Sequence, residues 1–198
     1  MPAISAKRMQ DRSAAILDAA QRVFVTRGYQ AASIADIARL AGISDGLVYR
    51  YYDSKRRLLD AVLAAFFQRI LGVLEPAVAA ERDFAAKLRA LIHAHLKTLL
   101  AEPGLCRLFI GEVRGAAEFT NSEAQAMNRR YSAVFLNITK NAQRKGELRG
   151  DLDAALLRDL VFGGVEHLAW RATSARGRAR IAADADKLVD LVLHGVAR

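Results

Sequence analysis

Cysteine occurs once, at Cys106, and proline only three times in 198 residues. A single thiol closes no internal disulfide, and Cys106 has no CxxC or CxxH neighbour with which to hold a metal. It reads as a small buried side chain, and neither a metal nor a cofactor is expected. No uninterrupted apolar run approaches the roughly 18 residues of a membrane span, and MPAISAKRMQDR lacks the apolar segment of a signal peptide. No membrane association is expected, and the expected location is the cytoplasm. HExxH, GxSxG and P-loop patterns are absent, so the chain is not expected to be an enzyme. Clustered β-branched runs are missing too. Ala, Leu and Arg dominate, which predicts an all-α fold.

Acidic residues are in deficit. Against 30 Lys and Arg stand 21 Asp and Glu, giving a net charge of +9 and a pI near 10.1, which suits an anionic partner. The imbalance is concentrated at one end. Residues 1–57 hold 10 basic and 5 acidic side chains, net +5, whereas the much longer remainder is net +4. Hydrophobic content of 53% with 26% charge indicates a globular chain with a core, not a disordered one.

The basic end contains the most informative stretch, SIADIARLAGISDGLVYRYYDSK, from Ser33 to Lys55. Ser33 and Asp36 have capping-box spacing, and Ile34, Ile37 and Ala38 give the following helix an apolar face. Gly42 is placed to stop that helix in a left-handed conformation, and Ser44 to start the next. Two helices joined by so short a turn form a helix-turn-helix, whose second helix enters the DNA major groove. Candidate reading residues are Ser44, Asp45, Gly46, Leu47, Tyr49 and Arg50. Gly46 permits close approach to the DNA backbone, and Arg50 has the fork that fits a guanine. Tyr51, Ser33, a Lys7 on a flexible arm of residues 1 to about 8, and a Lys55 at the start of the next helix are candidates for phosphate contact. On spacing alone, an ordinary helical hairpin inside an unrelated bundle is also open.

Beyond Ser54, two adjacent i, i+4 rows run Leu58, Val62, Phe66, Ile70, Leu74 and Leu59, Leu63, Phe67, Leu71, so this helix should be covered on more than one side. Pro76 is expected to break it. A helix over Phe84 to Leu99 carries His95 on its stripe, where a core histidine is expected before a ligand contact. A short helix over residues 105–115 carries Leu108, Phe109 and Val113, and one from about Ser122 to Lys145 carries Met127, Tyr131, Phe135 and Ile138. These stripes could line an internal pocket or an ordinary core. The helix from Asp153 is apolar around much of its girth, and the last, Ile181 to Val196, has a clear stripe. Their surplus apolar surface points to a second subunit, with Leu160, Gly163, Gly164, Leu168, Leu188 and Val192 as contact residues.

From Ile16 to Leu63 the chain resembles the DNA-binding domain of the TetR family of bacterial one-component regulators. The resemblance is carried by A-A-x-x-x-F at Ala19 to Phe24, Gly28-Tyr29, I-A-x-x-A-G-I-S from Ile37 to Ser44, and G-x-x-Y…S-K from Gly46 to Lys55. Positions 50–52 read Arg-Tyr-Tyr, where relatives have His or Lys followed by Phe, so base preference is not carried over. The resemblance implies a DNA-binding domain over residues 1–57, an effector-binding and dimerisation domain over 58–198, and a homodimer on a double-stranded DNA operator.

Farther along, Glu112 with Arg114, the turn Gly146-Glu147-Leu148, and Phe162-Gly163-Gly164 resemble the FadR-like, fatty-acid-responsive branch of that family. This implies a repressor released by a small hydrophobic effector, long-chain acyl-CoA in that branch. Phe66, Phe67, Ile70, His95 and Leu99 would then line the effector pocket, together with Phe109, Arg114, Met127, Tyr131, Phe135 and Phe162. Arg107, Arg129 and Arg130, with Arg114, are placed to meet CoA phosphates. A different hydrophobic effector, controlling an efflux or catabolic operon, and a DNA-binding protein without a ligand are alternatives that the residues leave open.

Overall fold

The computed structural model describes residues 2–114, 116–172 and 175–196, with the side chains of 2–6, 118, 175–178 and 196 outside the description. Among the described residues the chain is all-α. Its helices are α1 (Pro2–Ala31), α2 (Ile34–Ala41), α3 (Asp45–Tyr51), α4 (Lys55–Ala79), α5 (Phe84–Ala101), α6 (Pro103–Glu112), α7 (Glu123–Lys145), α8 (Ala154–Arg171) and α9 (Ala175–Val196). A short 3-10 turn, Ala117–Phe119, precedes α7.

Local chemistry sets most boundaries. Gly28 interrupts α1 with φ 77° and ψ 161°. The Ser54 hydroxyl accepts the Arg57 N–H at 3.1 Å, so Ser54 caps α4. Asp83 caps α5 through the Ala86 N–H, and Asp153 caps α8 through the N–H groups of Ala155 and Leu156. Two expectations fail. Residues 2–8 continue α1, so Lys7 stands exposed on a helix instead of on an arm. Pro76 does not end α4, which runs on to Ala79. A proline there forfeits the bond to one carbonyl four residues back, and buried Leu74 and Val78 on either side hold the last turn in place.

The chain divides into two compact units, Met1–Phe67 with Gly104–Met127, and Gln68–Pro103 with Asn128–Arg198. In the first, α1 packs on α2 and α2 on α3, around Ile16, Phe24, Ile37 and Val48. Gly104 opens α6 hard against α1. A Cβ there would lie 2.3 Å from the Val25 Cγ1, so a side chain would force the helices apart. A buried carboxylate links α4 to α7: Asp60 accepts the N–H groups of Glu123 (3.1 Å) and Ala124 (2.9 Å), satisfying donors that the first turn of α7 cannot pair internally. By length and composition α4 could cross a membrane, but Leu58, Leu59, Leu63, Phe66 and Phe67 are buried in the first unit and Leu71, Leu74 and Val78 in the second. Such burial is worth about 1.5–3 kcal/mol for each large side chain. It accounts for the apolar rows as core.

In the second unit α5, α8 and α9 pack pairwise. Leu88, Leu91, Leu157, Val161, Val165, Ala185 and Val189 are buried there. At the edge, His93 and Arg89 of α5 both reach Asp186 of α9, the His93 Nε2 at 2.9 Å. The His93 hydrogen bond, with the charges of His93 and Arg89, holds the Asp186 carboxyl below the usual carboxylate range. The six expected subunit contacts separate into two classes. Leu160 and Gly163 are exposed, whereas Gly164, Leu168, Leu188 and Val192 are half-buried. A Cβ on Gly164 would sit 3.3 Å from Leu188 Cδ2, so a side chain there would press on Leu188 where α8 meets α9 within one chain. Gly164 and Leu188 therefore meet within one chain, in addition to the role between subunits expected of them.

Candidate nucleic-acid interface and aromatic core

The turn between α2 and α3 is built as its residues dictate. Ser33 Oγ accepts the Asp36 N–H at 3.1 Å and donates to Asp36 Oδ2 at 2.7 Å, closing the cap. Arg27 Nη1 lies 2.7 Å from the same oxygen, and Arg39 reaches the other. The Ser33 hydroxyl above all, with the two guanidiniums and against the cost of desolvation, holds the Asp36 carboxyl below its ordinary range. Gly42 takes φ 67° and ψ 35°, and Ile43 N–H returns to the Ala38 carbonyl at 3.0 Å. This is the left-handed stop that Gly42 suggested.

Val48 fixes how α3 is turned. It is the buried residue of that helix, with no exposed surface. At 100° per residue, Gly46 and Arg50 fall opposite it, and Asp45 and Tyr49 lie to one side. All four are exposed. Leu47 and Tyr51 are half-buried on the flanks, so Tyr51 offers less to a ligand than expected. Ser44 starts α3 with extended backbone, yet its hydroxyl makes no capping bond and is exposed. The Tyr52 hydroxyl is shared with Ser13 Oγ at 2.9 Å, which ties α1 to the end of α3. Gly46 is informative because a Cβ there would meet nothing within 4 Å. Gly46 lies in the first turn of α3, where glycine is a weaker helix former than alanine, and no internal packing calls for it.

Lys55 departs from its expected place on a phosphate. Its ammonium donates to the carbonyls of Tyr29 (2.9 Å), Gln30 (3.2 Å) and Ala32 (2.9 Å) and lies 4.6 Å from the Tyr29 ring centre. The three protons are committed to carbonyls freed where Gly28 breaks α1. Lys55 thus fastens α4 to the end of α1.

Of the eleven candidate effector residues, five belong to the first unit and six to the second. In the second, His95 of α5, Tyr131 and Phe135 of α7 and Phe162 of α8 come together. His95 stacks on Phe162 with ring centres 4.7 Å apart and a 17° tilt, and its Nδ1 is hydrogen-bonded to the Tyr131 hydroxyl. Phe162 also meets Tyr131 at 5.7 Å and Phe135 at 5.8 Å. His95 is the core histidine that its place on the stripe suggested. In the first unit Phe67 meets Phe109 edge-on at 4.9 Å, with Phe66 behind it and the Arg114 guanidinium 5.9 Å from the Phe109 ring centre. Ile70, Leu99 and Met127 are half-buried on α4, α5 and α7. Of the arginines placed for CoA phosphates, Arg130 is taken by a two-pronged pair with Glu75 (2.8 and 2.7 Å), which raises its pKa. The others, Arg107, Arg114 and Arg129, are exposed.

Asp60 and Leu96 belong to no motif, yet both are buried at places the site depends on. Asp60 lies between two apolar rows, and an isolated acid in such a place is a usable signal for a buried cap. Leu96, buried beside His95, has the spacing of the α5 stripe and could have been included.

Residues 16–62 match the family model described as bacterial regulatory proteins, tetR family, and residues 81–196 match the tetracyclin repressor-like C-terminal domain. The chain is 26% identical to the HTH-type transcriptional repressor KstR2 of Rhodococcus jostii, over 99% of this chain and 96% of that protein. It is 21% identical to the fatty acid metabolism regulator protein of Bacillus subtilis, over 96% and 98%. Its fold matches the crystal structure of the Bacillus subtilis transcriptional regulator FadR in complex with stearoyl-CoA. There the TM-score is 0.79 at 22% identity, over 91% of this chain and 97% of that one. These relatives are transcriptional regulators, not enzymes. With both models matched across most of its length, the chain belongs to the TetR family and is a DNA-binding transcriptional repressor of the helix-turn-helix type.

Proposed function

We propose that this repressor acts in the cytoplasm as a homodimer on a palindromic operator and is released from it by a small hydrophobic effector, long-chain acyl-CoA. The main support is the pairing of two features: an α3 face turned outward by Val48, and a second unit whose interior gathers aromatic rings around one polar pair, His95 and Tyr131. Arg50 and Asp45 read base edges, the one as a donor and the other as an acceptor, and Ser44 and Tyr49 position α3 on the backbone around them. Gly46 lets a sugar or phosphate come close. Lys7 and Ser33 contribute phosphate contacts at the margin. An acyl chain would displace Phe162 from its half-buried place, and the Tyr131 hydroxyl would then meet the thioester carbonyl. The likeness to a fatty acid regulator, and to a fold solved with stearoyl-CoA, favours this effector over others.

The homodimer rests on α8 and α9. Leu156, Leu160 and Trp170 stand 58%, 64% and 70% exposed along α8, and Leu191 of α9 is 72% exposed. Apolar side chains left in water along a line suit a twofold interface with a second copy. Half-sites would then lie one helical turn, about 34–36 Å, or a multiple apart.

Titration of lauroyl-, palmitoyl- and oleoyl-CoA below micelle formation, with and without operator, tests the switch. A coupling of about 1–3 kcal/mol would weaken operator binding roughly 5- to 150-fold, and operator must weaken the ligand by the same factor. Tight acyl-CoA binding that leaves operator affinity unchanged would remove the effector role. No acyl-CoA binding at all would favour another effector or a ligand-independent repressor.

Gly46→Ala separates reading from folding. The alanine chain should be at least as stable as wild type in urea, because the added methyl meets no atom of the protein. It should nonetheless bind operator more weakly. Unchanged or tighter binding would mean that the bare backbone at Gly46 does not face DNA.

A further inference from the structure

The second unit carries a cleft that neither the reading helix nor the aromatic core accounts for. Asn137, Lys140, Asn141 and Arg144 follow one another along one face of α7, and with Gln143 and Gly150 they line a space of about 730 Å³. The loop before α8 forms the other wall. Gln143 pins that loop, its Nε2 donating to the carbonyls of Leu152 (2.8 Å) and Arg149 (3.3 Å). A Cβ on Gly150 would meet nothing within 4 Å, so the wall stays free of side chain there.

Hydrogen-bond donors dominate this lining. Arg144 is steadied by the Asn141 side-chain oxygen, which leaves the Asn141 NH₂ and the remaining guanidinium N–H groups as donors. Lys140 and Arg144 are like charges four apart on a helix, an arrangement that costs stability in isolation. Nearby carboxylates serve others: Glu147 accepts the Phe84 N–H at 2.9 Å and lies 3.8 Å from Lys145, and Asp151 is 3.4 Å from Arg149. Among the described residues no ion pair engages Lys140 or Arg144. The matching ligand presents acceptors to these side chains, carries more than one negative charge, and has enough bulk to occupy several hundred cubic ångströms.

We propose that this cleft binds a phosphate-bearing small molecule, with Lys140 and Arg144 on the phosphates and Asn137 and Asn141 beside them. A phosphate group carries roughly −1.5 to −2 charge near neutrality and three strong acceptor oxygens, which suits a lining with two cations. The volume falls within the roughly 300–1,000 Å³ of small-ligand sites, larger than a bare ion needs. Two sources share this chemistry, a free nucleotide and the phosphorylated head of a thioester ligand. The site does not depend on the acyl-CoA reading, since either source would fill it.

Isothermal titration of the full-length protein at low ionic strength, with ATP, coenzyme A and adenosine as probes, tests the proposal. ATP or coenzyme A should bind once per chain and adenosine should not. Lys140→Gln and Arg144→Gln should each weaken binding about fivefold, and the pair about thirtyfold. Both side chains are exposed, so circular-dichroism melts should match wild type. Preference for coenzyme A over ATP identifies the head of a thioester, and equal or better binding of ATP a free nucleotide. Lack of binding by both probes at millimolar concentration would overturn the proposal, as would undiminished binding in the double variant. So would loss in that variant of affinity for random duplex DNA alone, which would make the face a nucleic-acid surface.

Discussion

A Leu160→Glu chain is expected to sediment as a monomer at micromolar concentration and to lose about two to four powers of ten in operator affinity while keeping wild-type helix content. Leu160 is 64% exposed within one chain, so the glutamate meets water when the chain is alone and folding is spared. Across a twofold axis the substitution occurs twice, and two unpaired carboxylates would be drawn into an apolar seam, at a cost of several kcal/mol. Binding then falls because two half-sites no longer act as one, not because α3 has changed. Gly164→Glu makes the necessary contrast: it faces Leu188 of its own chain and should lower the melting temperature first. A Leu160→Glu protein that stays dimeric by light scattering would move the interface off this face of α8.

Lys55→Met should cost about 2–3 kcal/mol in urea denaturation, since three carbonyls lose a charged donor that a methionine of similar length cannot replace. Where the variant remains folded, the dependence of operator binding on salt should keep its wild-type slope. A lysine that neutralised a phosphate would, on removal, lower that slope by about one and leave stability nearly untouched. The two outcomes are opposite in both readouts. A lowered slope with unchanged stability would return Lys55 to the DNA.

What was legible in the chain follows from how far each interaction reaches. The Ser33 cap, the Gly42 stop and the Ser54 cap act over three to five residues, so residue type and spacing suffice to place α2, its turn and α3. The same holds for the stripes that put Leu88, Leu91 and His95 in the core. Lys55 was assigned from its place at the start of α4, but its partners lie 23 to 26 residues back and are created by Gly28. Gly163 and Gly164 look equivalent in the chain, and only the position of Leu188 separates an exposed glycine from one packed against a neighbouring helix. The return of residues 104–127 to the unit containing α1 to α3 likewise has no local signature. It depends on contacts such as Gly104 on Val25 and Asp60 on the start of α7.

The Asp60 contact also bears on which motions are available. Pulling the first turn of α7 away from α4 would leave a carboxylate and two amide N–H groups without partners inside the protein, so separation at this point is disfavoured on any timescale short of local unfolding. Thermal fluctuations should therefore carry that part of α4 and the start of α7 together. In hydrogen exchange, the amides of Glu123 and Ala124 would behave as interior groups although they open a helix. A force applied to either helix here reaches the other through a joint that transmits displacement instead of absorbing it.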